Sequence, residues 1–325
     1  MKLIKRLISY TLIGLSFQAV AKETMTVTDH AGNQVEIMKH PKRIASLHVM
    51  SATSILLDLQ APIVGTSTYI KLPENQPYIR GGEEVFGIKF ADTGYVNYGH
   101  KGSDIEQIKA SKPDLIIGTV KYQSKVFDKL SAIAPTVLIK RYTSNIFDAY
   151  RDVATWVGEE AIFEERYAQY QQKINDFKNK YSEELSGKTF VYAVPRKGKA
   201  EIKIRQNSGI ITQVLFDLGL SRTQFLKDNF KRDDAGDEVS SELIQSLDAD
   251  WFFSTYSSES GAKVESIDIA FDDVAPGWQS ALNAYKTNQF IRLNREKAYA
   301  PTFVSVDYVL NALEQRIIEN RAKNF

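Results

Sequence analysis

The sequence contains no cysteine among its 325 residues. Disulfide bridges and thiolate metal sites are therefore excluded, and no thiol is present for a nucleophile or for a lipid anchor. The chain also lacks a strong excess of either charge, because its formal net charge is +1 at pH 7. A general nucleic-acid-binding protein would carry a basic excess, so we expect no nucleic-acid partner.

The motifs of common catalytic sites are missing as well. The sequence has no G-x-S-x-G elbow, no P-loop and no G-x-G-x-x-G fingerprint. Its histidines form no H-x-x-x-H pattern and no His-rich loop, as a bare zinc or manganese site would require; they are His30, His40, His48 and His100. We therefore expect neither an enzyme nor a bare metal-ion binder.

Beyond the N-terminus the chain has no run of about 18 consecutive apolar residues, so no transmembrane helix is expected. The N-terminus itself carries Lys2, Lys5 and Arg6, then an apolar stretch (7–17), then Ala19-Val20-Ala21. This order predicts a cleaved signal peptide over 1–21. Its removal leaves a slightly acidic chain without a lipobox cysteine, which we expect to be free in a bacterial periplasm.

After this segment, short apolar strands alternate with helices. "MTVTDHAGNQVEI" predicts a β-hairpin, and "RIASLH" predicts a buried strand followed by a helix over 51–59. Residues 70–97 show no period and are predicted to be a long loop. A helix over 125–133, a strand over 136–140 and, later, a hairpin from "TFVYAV" and "EIKIR" continue the pattern. Such alternation indicates the α/β class with mainly parallel sheets.

The middle of the chain predicts one long helix over 162–185. Apolar residues recur there at spacings of three and four, as in an amphipathic helix; they are Phe163, Tyr167, Tyr170, Ile174, Phe177, Tyr181 and Leu185. Such a helix would be about 35 Å long. We therefore divide the chain into a signal peptide (1–21), an N-terminal α/β lobe (22–145), a linking helix region (146–186) and a C-terminal α/β lobe (187–325).

A helix-then-strand unit occurs twice, as "SDIEQIKASKPDLIIGT" from Ser103 and as "SSELIQSLDADWFFST" from Ser240. Each copy has a glutamate near the start of its helix, Glu106 or Glu242. The helix dipole favours a glutamate there by about 0.3–1 kcal/mol, and Ser103 with Glu106 fits a capping box. A purely structural role is therefore one interpretation of either glutamate.

Several segments together resemble one family. "IEQIKASKPDLIIG" is similar to the signature of periplasmic substrate-binding proteins of the iron-siderophore and vitamin B12 uptake class, which serve ABC importers. "MTVTDHAGNQVEIMKHPKRIASL", "KLSAIAPTV", "QVLFDLGL", "VSSELIQSLDADWFF" and "WQSALNAYK" resemble other segments of that family. The likeness extends over nearly the whole chain after the expected signal peptide.

The resemblance implies two α/β lobes bridged by one long helix, with the ligand in the cleft between the lobes. It implies a monomeric carrier without a cofactor, whose transported ligand is a ferric siderophore. One surface glutamate on each lobe would pair with arginines of the ABC permease dimer in the inner membrane, and Glu106 and Glu242 occupy those positions. Because a long helix is stiff, we expect lobe closure to be modest.

Ligands of open α/β sheets bind outside the carboxyl ends of strands. By that rule, for Arg205 by the resemblance and for Arg80 by its place in the long loop (70–98), the ligand-binding candidates are His48, Arg80, Lys121, Tyr122, Arg141, Arg205, Tyr256 and Arg292. Arg295 also lies near the last strand. The set is cationic and aromatic, which suits an anion, because an arginine fork binds a carboxylate in bidentate fashion. A solvated position at the rim is the alternative for each cation.

The type of siderophore is the least determined part of this prediction. Catecholate-binding relatives commonly carry a Ser-Arg-Phe-Gly run after the second-lobe hairpin, where this chain has "QNSGIIT". They often have Asp-Arg after the strand that here ends in "FFSTYSS". Both departures favour a carboxylate or citrate-type ligand, with hydroxamate, catecholate, haem and cobalamin as alternatives.

Overall fold

The structure is a computed structural model, and it describes residues 23–71, 74–141, 143, 145–207, 209–231 and 236–323. The expected signal peptide lies outside these residues. None of the helices within the described ranges is both long enough and apolar enough to cross a membrane.

The strands, in chain order, are β1 (Thr24–Thr28), β2 (Gln34–Met38), β3 (Ile44–Ser46), β4 (Ile63–Thr66), β5 (Tyr69–Lys71), β6 (Gln76–Tyr78), β7 (Val96–Asn97), β8 (Leu115–Thr119), β9 (Thr136–Ile139), β10 (Thr189–Arg196), β11 (Glu201–Ile204), β12 (Ser221–Arg222), β13 (Glu238–Ser240), β14 (Trp251–Tyr256) and β15 (Phe290–Asn294).

The α-helices are α1 (Ser54–Asp58), α2 (Gly82–Phe86), α3 (Phe90–Thr93), α4 (Ile105–Ala110), α5 (Val120–Gln123), α6 (Phe127–Ser131), α7 (Ile146–Val157), α8 (Glu160–Lys180), α9 (Ser182–Leu185), α10 (Gly209–Asp217), α11 (Gln224–Asn229), α12 (Ser266–Val274), α13 (Trp278–Ala281), α14 (Asn283–Lys286), α15 (Arg295–Ala298) and α16 (Val306–Lys323). Short 3₁₀ or π turns cover Val49–Thr53, Ser124–Val126, Ser241–Leu247, Ser258–Ser260 and Phe303–Ser305.

Two sheets define two lobes. The first is parallel, in the order β7-β4-β3-β8-β9. The second has the order β13-β11-β10-β14-β15; β14 lies parallel to β10 and β15, whereas β11 and β13 add an antiparallel edge. Every residue of β3, β8 and β9 is buried, as expected for strands covered on both faces. The prediction of two α/β lobes joined by a long helix is confirmed.

Local predictions succeeded where the sequence was periodic. The hairpins β1–β2 and β10–β11 form as predicted, and α8 starts two residues before its predicted start and ends at Lys180. The segment 70–97 was wrongly predicted to be a loop, because it contains the β5–β6 hairpin and the short helices α2 and α3. Helix α7 was not predicted, although eight of its residues are buried.

One continuous hydrophobic cluster holds the lobes together. It runs from Ile117 on β8, through Phe163 on α8, to Phe253 on β14. Phe303, just before α16, stacks on Phe147 of α7 with ring centroids 5.0 Å apart, and its ring is 5.8 Å from that of Phe163. Aromatic rings therefore join the end of the second lobe to the first lobe and to the linking helix.

A buried carboxylate reinforces this junction. The side chain of Asp58 on α1 is fully buried; it accepts a hydrogen bond from the backbone N–H of Phe303 at 2.8 Å and forms an ion pair with Arg166 of α8. The Asp58 carboxylate thus connects α1 to α8 and to the segment just before α16.

In both copies of the repeated unit, the aspartate before the strand fixes the start of a neighbouring strand. Asp114 accepts hydrogen bonds from the backbone N–H groups of Lys42 and Arg43, just before β3. Asp250 accepts one from the backbone N–H of Thr189, the first residue of β10, at 2.8 Å. The aspartates of the repeat therefore have an equivalent architectural role.

We expect Asp58→Ala to lower the free energy of unfolding by about 3 kcal/mol, because it leaves a buried N–H and a guanidinium without their acceptor. Urea titration followed by circular dichroism measures the change. Glu164→Ala is the control: its pair with Arg151 joins side chains that are 59% and 44% exposed, so its loss should cost less than about 1 kcal/mol. Equal losses in the two variants would contradict the proposed importance of the junction.

Candidate functional site

At the carboxyl edge of the first sheet, three cations surround one tyrosine. Tyr122 lies on α5, directly after β8; the amines of Lys101 and Lys121 are 4.4 and 5.8 Å from its ring centroid, and the Arg141 guanidinium carbon is 5.5 Å away. Arg141 Nη1 also donates to the Tyr122 hydroxyl at 3.1 Å. We call Lys101, Lys121 and Arg141 around Tyr122 the first-lobe basic cluster.

Gln123 positions this cluster. It is buried, and its side-chain oxygen accepts from the Thr119 backbone N–H at 2.8 Å and from the Thr119 hydroxyl at 3.0 Å. Its amide donates to the Lys101 carbonyl at 2.8 Å. Lys101 itself has φ 57°, in the left-handed region. The Gln123 side chain thus connects the turn that carries Lys101 to the end of β8, directly before the helix that carries Tyr122.

Lys101 was not among the residues predicted from the sequence. The signal available was "GHKG", in which glycines flank His100 and Lys101 and favour a tight turn. At Gly102 (φ 65°) an added Cβ would lie 2.7 Å from the Leu47 Cβ, so this turn packs directly against the end of β3. That close approach brings Lys101 to the strand edge.

His48, directly beyond β3, is the neutral member of the site. It is 3% exposed, its Nδ1 accepts from the Ser51 N–H at 3.1 Å, and its ring stacks on Tyr122 with centroids 5.6 Å apart. Burial, and then the charges of Arg141 and Lys101, lower the pKa of His48 to about 3. The imidazole is therefore uncharged at neutral pH.

The second lobe contributes two arginines at its own strand ends. Arg205 follows β11 and Arg295 follows β15; each has a buried Nε without a hydrogen-bond partner among the described residues. Burial raises the pKa of Tyr192 on β10, while the charges of Arg205 and Arg295 act in the opposite direction, and the Arg205 backbone N–H donates to the Tyr192 carbonyl at 2.8 Å. We call Arg205 and Arg295 the second-lobe arginine pair.

The inter-lobe cleft links one cation of each group through Tyr299. Arg295 lies 5.5 Å from the ring centroid of Tyr299. Tyr299 and Gly209 of the second lobe line the same pocket of about 40 Å³ as Met50 and Arg141 of the first. Tyr299 thus lies between Arg141 of the first-lobe basic cluster and Arg295 of the second-lobe arginine pair.

Arg80 crosses the cleft. Its guanidinium lies 4.1 Å from the ring centroid of Tyr69, and its Nε donates to Glu259 of the second lobe at 2.9 Å. Burial and the neighbouring Glu296 raise the pKa of Glu259 to about 7, while Arg80 acts in the opposite direction. The predicted ligand residue Arg80 is therefore also an inter-lobe contact, which no sequence pattern predicted.

The structure places two predicted site residues differently. Arg292 lies within β15, two residues before its end, and its Nε donates to Asp268 of α12 at 2.7 Å in a surface groove with Arg316. Its expected position in the cleft is wrong. Tyr256 ends β14 as predicted, but it packs against the hydrophobic cluster on the outer side of the second sheet.

The two repeated glutamates are exposed, and each occupies the first turn of its helix. A short polar residue, Ser103 or Asp104, was expected to open the first helix; Asp104 is the N-cap of α4 and accepts from the Gln107 N–H at 3.0 Å, so the capping box of Ser103 with Glu106 does not form. In the second copy Ser240 is the cap, and the helix is 3₁₀ rather than α. Neither glutamate side chain caps its helix.

The cleft can bind an anion more readily than a bare metal ion. Within the described residues no group of three or more His, Asp or Glu side chains is arranged to hold a metal. Of the histidines, His30 is held between Asp152, at 2.8 Å, and the Lys140 N–H, at 2.9 Å, so it joins β9 to α7. Guanidinium and ammonium groups with aromatic walls fit a ligand that presents several anionic oxygens.

Comparisons with known proteins agree with this geometry. A family model described as "Periplasmic binding protein" matches residues 44–296. The probable siderophore-binding lipoprotein YfiY of Bacillus subtilis is 29% identical over 250 residues, which cover 75% of this chain and 73% of that protein. The iron(3+)-hydroxamate-binding protein FhuD of the same species is 27% identical over 219 residues, 66% of this chain and 63% of that protein.

Among solved structures, that of Staphylococcus aureus SirA complexed with staphyloferrin B superposes with a TM-score of 0.72 at 22% identity. The alignment covers 91% of this chain and 99% of that chain. At this level of identity, the likeness establishes the fold.

The neutral, buried His48 should make stability depend on pH. An unfolded histidine has a pKa near 6.5, so between that pH and about 3 the unfolded chain binds a proton that the folded chain does not. The unfolding free energy should therefore fall by about 1.4 kcal/mol per pH unit from this residue as the pH drops below 6.5.

His48→Asn should remove this contribution, while its side-chain oxygen can still accept from Ser51. Urea unfolding at pH 7, 6, 5 and 4.5 measures both slopes, and His40→Asn, at an exposed position, is the control. If wild type and His48→Asn lose stability in parallel, the buried neutral imidazole is not the cause.

Proposed function

Because the chain belongs to the periplasmic binding protein family, we propose that it captures a ferric siderophore in the inter-lobe cleft and delivers it to an ABC importer. Family members of this kind bind a substrate and are not enzymes. The observation that supports the proposal is that Arg141 of the first-lobe basic cluster lines one inter-lobe pocket with Tyr299, whose ring centroid is 5.5 Å from the Arg295 guanidinium.

Within that class, the cleft chemistry favours a carboxylate or citrate-type complex. Several cations lie within about 6 Å of Tyr122, and their mutual repulsion is relieved when an anion enters. The guanidinium groups of the second-lobe arginine pair, whose Nε atoms have no hydrogen-bond partner among the described residues, are the proposed donors from the other lobe. A guanidinium binds a carboxylate through two parallel hydrogen bonds, whereas a neutral complex leaves this charge uncompensated.

Tyrosine rings and the neutral imidazole supply the rest of the binding surface. Tyr122 and His48 stack on each other and form a flat wall beside the cations. Such a wall covers the organic part of a chelate without adding charge. The bound ligand would thus be held by cations at its oxygens and by aromatic faces at its carbon skeleton.

We expect Arg205→Gln and Arg141→Gln each to weaken binding of ferric citrate by about tenfold or more, since each removes a charged hydrogen-bond donor worth about 1.5–3 kcal/mol. Isothermal titration calorimetry measures the dissociation constants. Arg292→Gln is the matched control, because its guanidinium is paired with Asp268 in a groove between α12 and α16; it should stay within about twofold of wild type.

The same titration discriminates among the ligand classes. Tight binding of a catecholate or a hydroxamate complex, with none of ferric citrate, would overturn the choice of a carboxylate type. Equal losses in Arg292→Gln and Arg205→Gln would contradict the placement of the site.

Glu106 and Glu242 are proposed to be the contacts to the permease dimer of the importer. Each is exposed at the start of a helix, and a helix that leads into a parallel strand begins at the carboxyl edge of the sheet. The first-lobe glutamate therefore lies at the same edge as the cleft. Two equivalent carboxylates suit two equivalent subunits with basic side chains.

Glu106→Lys/Glu242→Lys should abolish iron uptake and leave the dissociation constant for ferric citrate within about twofold of wild type, because opposite charge is replaced by like charge at the contact. Uptake of radioactive iron by cells that carry the variant in place of wild type measures the effect. Glu165→Lys/Glu183→Lys changes the charge equally at other exposed positions and should support normal uptake. Lost ligand binding in the first variant would refute the assignment.

A further inference from the structure

A segment of the first lobe reaches over the cleft and contacts the second lobe. It comprises residues 76–93, that is β6, α2 and α3, and we call it the strap. Its helix α2 packs against α15, the helix that carries Arg295. The strap therefore joins the lobes at a place separate from α8 and Phe303.

The contact is a buried ion pair with two hydrogen bonds. Glu259 Oε2 accepts from Arg80 Nε at 2.9 Å, and its Oε1 accepts from the Gly81 N–H at 3.1 Å. The side chains of Arg80 and Glu259 are 16% and 6% exposed. Both oxygens of one second-lobe carboxylate thus hold two consecutive residues of the strap.

The strap backbone also lies directly on the second lobe. Gly81 has φ 74°, and a Cβ added there would be 2.8 Å from the Glu296 carbonyl oxygen. Glu296 is itself fully buried, and its carboxylate accepts from the Ser257 hydroxyl at 2.8 Å and the Ser258 N–H at 2.9 Å. The strap thus contacts a rigid surface and not a mobile side chain.

Arg80 depends on this contact for its position. One face of its guanidinium lies against Tyr69 and its Nε is bound by Glu259. Tyr69 in turn packs against His100, the residue before Lys101, with ring centroids 5.1 Å apart, so the guanidinium lies close to the turn that carries Lys101. The arginine side chain loses conformational entropy when rotation about its bonds is restricted in this way. Because that entropy is already lost in the free protein, it does not have to be lost again on ligand binding.

We propose that Glu259 is a positioning residue: it ties the strap to the second lobe and thereby holds the Arg80 guanidinium at the edge of the cleft, ready for an anionic ligand. The part that concerns the ligand rests on the proposed function. The part that concerns the tether is independent of it.

Hydrogen–deuterium exchange tests the tether without any ligand. Glu259→Gln keeps the shape and an acceptor for Gly81 but removes the charge, and we expect amides in 76–93 to exchange about tenfold faster or more. Arg80→Gln should loosen the strap further, because it leaves Glu259 beside Glu296 without the cation. Arg80→Gln/Glu259→Gln should exchange more slowly than Arg80→Gln alone, since it removes the lone carboxylate.

Calorimetry with ferric citrate tests the positioning of Arg80. Glu259→Gln should raise the dissociation constant by about tenfold, and in the Arg80→Gln background it should have little further effect, because it acts through Arg80. Asp268→Asn is the matched control, since it breaks the ion pair with Arg292 (Nε–Oδ1 distance 2.7 Å) in the groove between α12 and α16. This variant should change neither the amide exchange of the strap nor the affinity for ferric citrate.

If the amides of the strap exchange at the same rate in Glu259→Gln as in wild type, Glu259 does not hold the strap to the second lobe. Faster exchange with equal or tighter binding of ferric citrate would overturn the positioning role, because Glu259 would then compete for Arg80 instead of presenting it. If the wild-type protein bound no ferric complex, the proposed function and the ligand role of Arg80 would both fall, and the exchange result would still decide the tether.

Discussion

The cleft depends on the hydrophobic junction at Phe303, which fixes the distance between the two sheets. Phe303 belongs to the chain that leaves the second lobe, yet its ring stacks on α7 and packs against α8, and its N–H is bound by Asp58 of the first lobe. Because the cluster around it is continuous from β8 to β14, the two carboxyl edges cannot separate without exposing aromatic surface. The site is therefore largely preformed.

A preformed cleft explains how so many like charges can remain close together. The first-lobe basic cluster has no stabilising reason to form by itself, since like charges repel. Rigid attachments keep it in place: Gln123 holds the Lys101 turn, Arg141 bonds the Tyr122 hydroxyl, and the ring of Tyr122 offers a negative face to the cations. In the proposed function, an anionic ligand would relieve this repulsion on binding.

The sequence predicted those parts of the site that follow from strand order. Ligand groups were expected at strand ends, and His48, Tyr122 and Arg141 do lie at one edge of the first sheet, because the carboxyl ends of parallel strands share one edge. Arg205 follows β11, which is antiparallel to β10, so this rule does not account for its position. The predicted position of Arg292 in the cleft was wrong because the residue lies inside a strand, where side chains alternate between the two faces of the sheet. Its side chain is directed toward α12. Lys101 and the pairing of Arg80 with Glu259 could not be predicted, since they depend on a left-handed turn and on a contact between residues far apart in the chain.

In the repeated unit, the aspartates have a structural role that is visible in the fold, whereas the glutamates do not. Asp114 and Asp250 each bind the backbone at the start of a neighbouring strand, so both copies require an aspartate at that position. The caps of the two helices are supplied by Asp104 and Ser240. Glu106 and Glu242 are left exposed without a capping bond, and the helix dipole accounts for at most about 1 kcal/mol at such a position. Capping therefore does not account for a glutamate in the first turn of both copies, and this leaves its side chain available for the contact with the permease proposed above.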